Sequence, residues 1–397
     1  MYKIEAKPAC HKYRNDQMER IFVFYSIRKI SLALAIFAAC ASTFSLRGYG
    51  GEKTLRMTAV GDSGWIGGVK KYVDKLADDY DKREFKRRIS AIHTLPKSDL
   101  TFTNVEATLT TTCETMREKT HTFTMGPESL KGFIREGFNL LSLANNHSAD
   151  CISPSSNDQI YVVLKQMDNL APKFIAHGVA SDESSLMNIN SLQVKNLEVG
   201  LIAIKGWFDP KHPYIGSLSN YKKLFKKISS KQLALRILSI HAGVERSRIV
   251  EPHIKKLARE FLNDFGGHVV FIHHTHTYSG VELLKNKRGQ VAAIFWGLGN
   301  FFHNGLNGFG GDGMIASFSF STSKGVHNLS LIPLKSNTLE IDFASEKSLI
   351  YFEEQIRATS DANIAQLSSP YQNLERLKFS TIKNKYPIPS LKIAIEK

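Results

Sequence analysis

Gly137-Phe-Asn-Leu-Leu-Ser-Leu-Ala-Asn145-Asn146-His147 is a short apolar run that ends abruptly in three bulky polar side chains. The run 138–143 reads as a strand, and polar groups placed directly after a buried strand need partners. Four other apolar runs end in the same way. Residues 55–61 lead into Asp62, and 99–103 into Asn104 and Glu106. Residues 235–240 lead into His241, and 269–272 into His273, His274 and His276. Taken singly, Asp62 suits a turn, Asn104 and Glu106 a helix cap, and His241 a satisfied core position. Taken together they imply a shared site, because parallel strands bring their carboxyl ends together and ligands bind outside those ends.

Working outward, strand-like runs alternate with amphipathic stretches through residue 272. Helices are expected over 69–92, 128–136, 156–170, 219–228 and 252–265, and short strands near 173–176 and 198–204. Such alternation predicts βαβ units and a largely parallel sheet. Beyond 272 the chain is mostly strand: 280–284, 290–295, 314–320, 327–334 and 339–343. This implies an added, largely antiparallel sheet. Two sheets packed face to face, with helices outside, would bury both, so the fold class is α/β with a two-sheet β-sandwich flanked by helices (αββα). No linker interrupts 55–345, which reads as one domain, and 346–397 reads as a helical and then polar C-terminal tail.

The gathered residues offer carboxylate, amide and imidazole donors without thiolate. That set suits one or two divalent ions of the Mn, Fe or Zn type. Two adjacent cations need a shared anion between them, for which Glu106 and Asp62 are the candidates.

The formal charge is +15. The first 41 residues carry seven Lys/Arg and three Asp/Glu, so the remainder still carries +11. Clusters such as Lys222, Lys223, Lys226, Lys227 and Lys231 fit a polyanion, an anionic membrane surface or a solvated helix face. No nucleic-acid motif accompanies them, so nucleic acid is not expected as a partner. Residues 30–41 are apolar, follow Arg28 and Lys29, and end in Ala39-Cys40-Ala41. This basic, apolar, small-residue order is that of a secretory signal, so 1–41 reads as a signal peptide or membrane anchor. A start at Met18 and a lipoprotein cysteine at Cys40 fit the same stretch. An exported location follows, periplasmic or membrane-anchored and facing outward. Only Cys113 and Cys151 remain after residue 41. Each lies a few residues beyond a strand-end polar group. A disulfide between them is expected in an oxidising compartment, two unrelated buried thiols being the other reading.

At these residues the chain resembles the capsule-synthesis protein A family, also called the poly-γ-glutamate biosynthesis family, which is itself similar to the calcineurin-like metallophosphoesterases. The resemblance spans about 55–342. Its motifs stand as Gly61-Asp62, Asn104-Val-Glu106, Ala144-Asn-Asn-His147, His241-Ala-Gly243, His274-Thr-His276 and Leu298-Gly-Asn-Phe301. The chain departs from the family where His-Trp-Gly has become His241-Ala-Gly243 and where Gly-His-His-Pro-His has become Ile272-His-His-Thr-His276. The Asp-x-His of ordinary metallophosphoesterases is Asp62-Ser63-Gly64.

The resemblance implies a metallophosphoesterase-like fold with Asp62, Asn104, Glu106, Asn146, His241, His274 and His276 as metal ligands. It implies His147 as the general acid, with Asp150 orienting the ring. The function expected is an exported metal-dependent phosphoesterase-like hydrolase of the cell envelope. The alternative is a non-catalytic factor that binds a capsule polymer or poly-γ-glutamate for assembly or export. Expected partners are an anionic polymer or phosphoester substrate, and a membrane surface or polymer-synthase complex.

Overall fold

A computed structural model describes residues 52–64, 97–113, 115–152, 156–207, 209–210, 214–303, 312–337, 340–343, 352–360, 377–382 and 390–395. The segment 1–41, read above as a signal or anchor, and the helical stretch expected at 69–92 lie outside these residues. Sixteen strands form one sheet. In chain order they are β1 (Thr54–Gly64), β2 (Leu100–Val105), β3 (Leu140–Ser142), β4 (Ile175–His177), β5 (Ser191–Val194), β6 (Leu197–Lys205), β7 (Leu235–His241) and β8 (Val269–His273). Then follow β9 (Val281–Lys285), β10 (Val291–Phe295), β11 (Asn300–His303), β12 (Asp312–Ser321), β13 (Gly325–Asn337), β14 (Glu340–Phe343), β15 (Leu377–Ile382) and β16 (Ser390–Ile395). The helices are α1 (Pro127–Arg135), α2 (Ser156–Lys165), α3 (Glu183–Met187), α4 (Tyr221–Ser230), α5 (Pro252–Phe265) and α6 (352–360).

The main path runs β4-β3-β2-β1-β12-β13-β10-β8-β7-β6-β5. Strands β4 to β1 are mutually parallel, as are β10, β8, β7 and β6. The path folds back on itself, so these two parallel blocks become facing layers of a sandwich. Period-two alternation makes this possible. In β7, Leu235 and Ile237 point into the interior, while Leu238 and Ile240 point outward to α4 and α5. In β3, Leu140 faces inward and Leu141 faces α1 and α2. Phe102 and Phe271 stack across the interior at 4.4 Å. Burying each such side chain stabilises by roughly 1.5–3 kcal/mol.

The αββα arrangement expected from the sequence is therefore present, with one difference. The antiparallel hairpin β12–β13 joins the layers into a continuous sheet, through β1 on one side and β10 on the other. At the second junction Gly325 has φ 76° and pairs with Val291, and a Cβ there would meet the Val291 carbonyl at 2.1 Å. Only glycine allows that approach.

The described parts of 346–397 join the same body. Phe352 and Ile356 of α6 belong to the interior cluster, and Ser360 Oγ accepts from the Val281 amide at 2.9 Å. Strand β16 pairs with β13 and β15 with β16. The polar reading of this segment overlooked two strands, whose apolar positions are interrupted by Lys, Ser and Thr. Among the described residues, no helix is long and apolar enough to cross a membrane.

Candidate metal centre

Register sets the site before any side chain is considered. In the first layer Asn300, Asp62 and Asn104 are lateral neighbours, and Asn104 pairs with Ser142. In the facing layer Lys205, His241 and His273 form a second row. Asp62 and Asn104 lie inside β1 and β2 rather than just beyond them, because both strands run further than their apolar runs suggested. Gly61 is needed beside Asp62, since a Cβ there would sit 1.8 Å from the Gly299 carbonyl oxygen. That same oxygen accepts the Asp62 amide at 2.8 Å.

The layers bring Asp62, Asn104, Glu106, Asn146, His241, His274 and His276 together. Asn104 Nδ2 donates to Asp62 Oδ1 at 2.8 Å and lies 3.1 Å from His241 Nδ1. His276 Nδ1 is 3.4 Å from Asp62 Oδ2 and 2.9 Å from Asn300 Oδ1. Glu106 Oε1 has His241 Nε2 at 3.5 Å and the Nε2 atoms of His276 and His147 each at 3.8 Å. Asn146 Oδ1 contacts His241 Nε2 at 2.8 Å. Its neighbour Asn145 has another task. It donates to the Val105 carbonyl and accepts the His147 amide, so it builds the turn that presents Asn146.

His274 and His276 have φ of 84° and 53°. Left-handed backbone at a non-glycine residue costs of order 1–3 kcal/mol, and here it serves to place two imidazoles two residues apart in one site. The Trp207 ring packs beside this site, 5.4 Å from His274 and 6.3 Å from His241.

Many donor atoms here have no hydrogen-bond partner although they are buried. They are Asn104 Oδ1, Glu106 Oε1, His273 Nε2 and His274 Nδ1. Leaving one such atom unpaired costs about 1–3 kcal/mol, so their convergence on one point calls for a cation. Two triads qualify: Glu106, His274 and His276, and Asp62, Glu106 and His241, with donor atoms within 4.8 Å of one another in each. Glu106 is common to both, as a bridging carboxylate would be. The donor set therefore fits a divalent metal, and two ions sharing Glu106 fit it best.

The electrostatics agree. Burial opposes ionisation of Asp62, but bonds from His273 and His276 hold its carboxyl well below the usual range. Glu106 is likewise buried, yet His276 and His241 hold it low. Burial disfavours the charged ring of His276, but Glu106 and Asp62 outweigh it and raise the group to about 10. Burial lowers His241 and His274 instead, against the pull of Glu106, which favours their neutral form.

His147 forms a separate corner. Its Nδ1 is 2.5 Å from Asp150 Oδ2, and its ring packs on Phe123 at 3.9 Å. Asp150 also accepts the Phe123 amide and pairs with Lys119. Because a paired carboxylate only accepts, His147 must donate from Nδ1, and Nε2 is the nitrogen 3.8 Å from Glu106. Cys113 and Cys151 are joined by a disulfide next to Asp150, with Cα atoms 5.6 Å apart.

Two residues escaped the sequence reading. His303 Nε2 lies 3.4 Å from Glu106 Oε2, and β11 sets His303 opposite Gly64. Its only signal was its place two residues after the Leu298–Phe301 motif. The sequence puts His273 at a strand end without marking it as a ligand, yet its Nδ1 is 3.1 Å from Asp62 Oδ1. By contrast, His177 and His268 are buried, hydrogen-bonded core residues, as expected. A cavity of about 860 Å³ bounded by Tyr161, Phe174, His177 and Lys231 includes none of the site residues.

The chain is thus an α/β sandwich that gathers Asp, Asn, Glu and His at its strand ends. More narrowly, the chain belongs to the bacterial capsule synthesis protein PGA_cap family, whose model matches residues 56–305. It is 27% identical over 263 residues to the capsule biosynthesis protein CapA of Bacillus anthracis. That match covers 63% of this chain and 60% of the relative, so it spans less than two thirds of the relative's length. Among solved structures, a hypothetical protein from Thermus thermophilus aligns at 12% identity and TM-score 0.42, over 71% of this chain and all of that one. A novel phosphatase from Mycoplasma pneumoniae aligns at 14% and 0.39, over 76% and 99%.

Proposed function

We propose that this protein is an exported metal-dependent hydrolase of the phosphoesterase type, acting in the cell envelope on a phosphate ester or a related acyl or amide bond. The observation that carries the reading is the pair of triads, Glu106–His274–His276 and Asp62–Glu106–His241, that share Glu106. Glu106 would bridge two ions, with Asp62, Asn104, Asn146 and His241 toward one and His274 and His276 toward the other. When bound, such ions polarise a phosphoryl oxygen and supply a nucleophile near neutral pH. The chain's own contribution is proton delivery. Asp150 fixes the tautomer and plane of His147, so Nε2 faces the reacting group and can protonate the leaving oxygen, a step worth roughly 10²–10⁴-fold. Buried walls and the Trp207 ring keep the site dry, which strengthens each charge interaction.

Export draws support from the basic, apolar, small-residue order of 1–41 and from the Cys113–Cys151 disulfide, since such bonds persist in oxidising compartments. A fusion of residues 1–60 to a reporter active only outside the cytoplasm tests it, and a silent reporter would count against export.

The enzymatic reading is tested by metal analysis of the purified mature protein together with a phosphoester panel. His274→Ala should lose most metal and retain the wild-type circular dichroism spectrum. Full metal occupancy in that variant would sink the ligand assignment. The exposed lysines 222, 226 and 227 on α4 favour a second reading, a polyanion-binding assembly or export factor. Bound metal without turnover on any ester, together with retention of an anionic polymer, would favour that reading.

A further inference from the structure

Lys205 ends β6 in register with His241, so its side chain belongs to the same row of strand-end groups as the ligands. It is 3% exposed. Among the described residues, no carboxylate or carbonyl takes its ammonium as an ion-pair or hydrogen-bond partner. Its Nζ lies 5.8 Å from the centre of the Trp207 ring, the same ring that packs beside His274 and His241.

Two further cations border the site, Arg117 through Asp209, two residues after Trp207, and Lys119 through the carbonyl of Asn146. Both sit on a segment held in place rather than left loose. Thr115 and Met116 pair with Ile152 and Cys151, the disulfide clamps Cys113 to Cys151, and the Arg117 amide bonds the Asp150 carbonyl at 2.8 Å. Arg117 Nη1 spends one donor on Asp209 at 3.2 Å. Lys119 spends its donors on Asp150 and on the Asn146 carbonyl at 3.0 Å. Asp150 and Asp209 therefore neutralise Lys119 and Arg117, and the ammonium of Lys205 is left over. Burying a cation without a counter-ion is costly, and an arriving anion would remove that cost.

We propose that Lys205, flanked by Arg117 and Lys119, forms an anion subsite beside the metal centre that takes a second anionic group of the substrate, a carboxylate or a phosphate. The position of this group as part of a substrate rests on the hydrolase reading; the anion binding itself does not. Substrates of this site would thus carry at least two anionic groups, one for the metal centre and one for Lys205. A charge-assisted hydrogen bond in such a place gives about a tenfold to hundredfold gain in affinity.

The test is calorimetric titration of the metal-loaded protein with three probes that cannot be hydrolysed. Methylphosphonate carries one anionic group, 3-phosphonopropionate adds a carboxylate, and propane-1,3-diphosphonate adds a second phosphonate. The two-anion probes should bind about tenfold or more tightly than methylphosphonate. Lys205→Met, nearly isosteric, should abolish that gain and leave methylphosphonate affinity and metal content unchanged. Arg117→Gln changes a residue at the rim, where folding is not at stake, and should remove part of the gain. Preference for one two-anion probe over the other identifies the second group. The proposal is overturned if both variants keep the gain, or if methylphosphonate binding falls as much as that of the two-anion probes. Wild-type protein that holds no metal would defeat the hydrolase reading, and the same titrations on chelator-treated protein then decide. Weak diphosphonate binding lost in Lys205→Met upholds the subsite, and unchanged or absent binding refutes it.

Discussion

At the candidate metal centre, donor atoms of Asn104, Glu106, His273 and His274 stay buried without hydrogen-bond partners. Around Asp150, one carboxylate takes His147, the Phe123 amide and Lys119 together. Both corners lie at the same strand ends and are equally buried, so burial does not explain the difference. The Glu106 corner is stabilised only when something cationic arrives, whereas the His147 corner is held in shape by the chain itself. A site of this kind has one part that depends on a metal and another that is pre-organised without it. That contrast can be broken or sharpened by experiment.

The largest effect should come from Glu106→Gln, which removes the carboxylate shared by both triads. Affinity for Mn²⁺ or Zn²⁺, measured by competition with a fluorescent chelator, should fall by more than the roughly 10–100-fold that outer-shell changes cost. Retention of two tightly held ions would remove the bridging role. His147→Ala probes the opposite corner. It should lower kcat on alkyl phosphates by about 10²–10⁴-fold, and far less on aryl esters whose leaving group needs no proton. Metal content should not change. Equal losses on both ester types would exclude proton delivery, and lost metal would make His147 a ligand.

His303→Phe should have a smaller effect, about 10–100-fold in metal affinity, since its polar contact among the described residues is with Glu106 Oε2, beside the rings of Phe123 and His276. No change would leave His303 a packing residue. The gentlest probe is pH. Because His276 is raised to about 10, a metal must displace its proton, and affinity should climb about tenfold per pH unit across the neutral range. His241 and His274, lowered by burial, add no slope there. In chelator-treated protein the sign reverses. The charged His276 contributes stability that is complete below its unfolded value of about 6.5 and is lost as pH rises toward 10. A flat affinity profile would show that His276 carries no proton for the metal to displace.

Much of this was legible in the residues. The helix at 252–265 was expected with the bounds it has, because proline opens it and Gly266 closes it in a left-handed conformation. The strand ends were found because apolar runs are local signals, and the polar residue that stops each run is local too. The C-terminal strands β15 and β16 were missed for the converse reason. Their alternation includes Lys and Ser, and β16 finds its partner in β13, far away in the chain, while β15 pairs with β16.

The sequence by itself determined which side chains stand at the carboxyl ends of the strands, and with them the chemistry on offer: carboxylate, amide and imidazole around a cation. Only the tertiary structure decided which of those groups meet. Folding one continuous sheet over itself sets the row Asn300–Asp62–Asn104 against the row Lys205–His241–His273. It also brings His303 to Glu106 and leaves Lys205 buried, with no ion-pair partner among the described residues. Periodicity assigns a residue to a face or an end of its own strand. Contact between strands depends on register and on how two layers pack, and those are settled by interactions between segments more than a hundred residues apart.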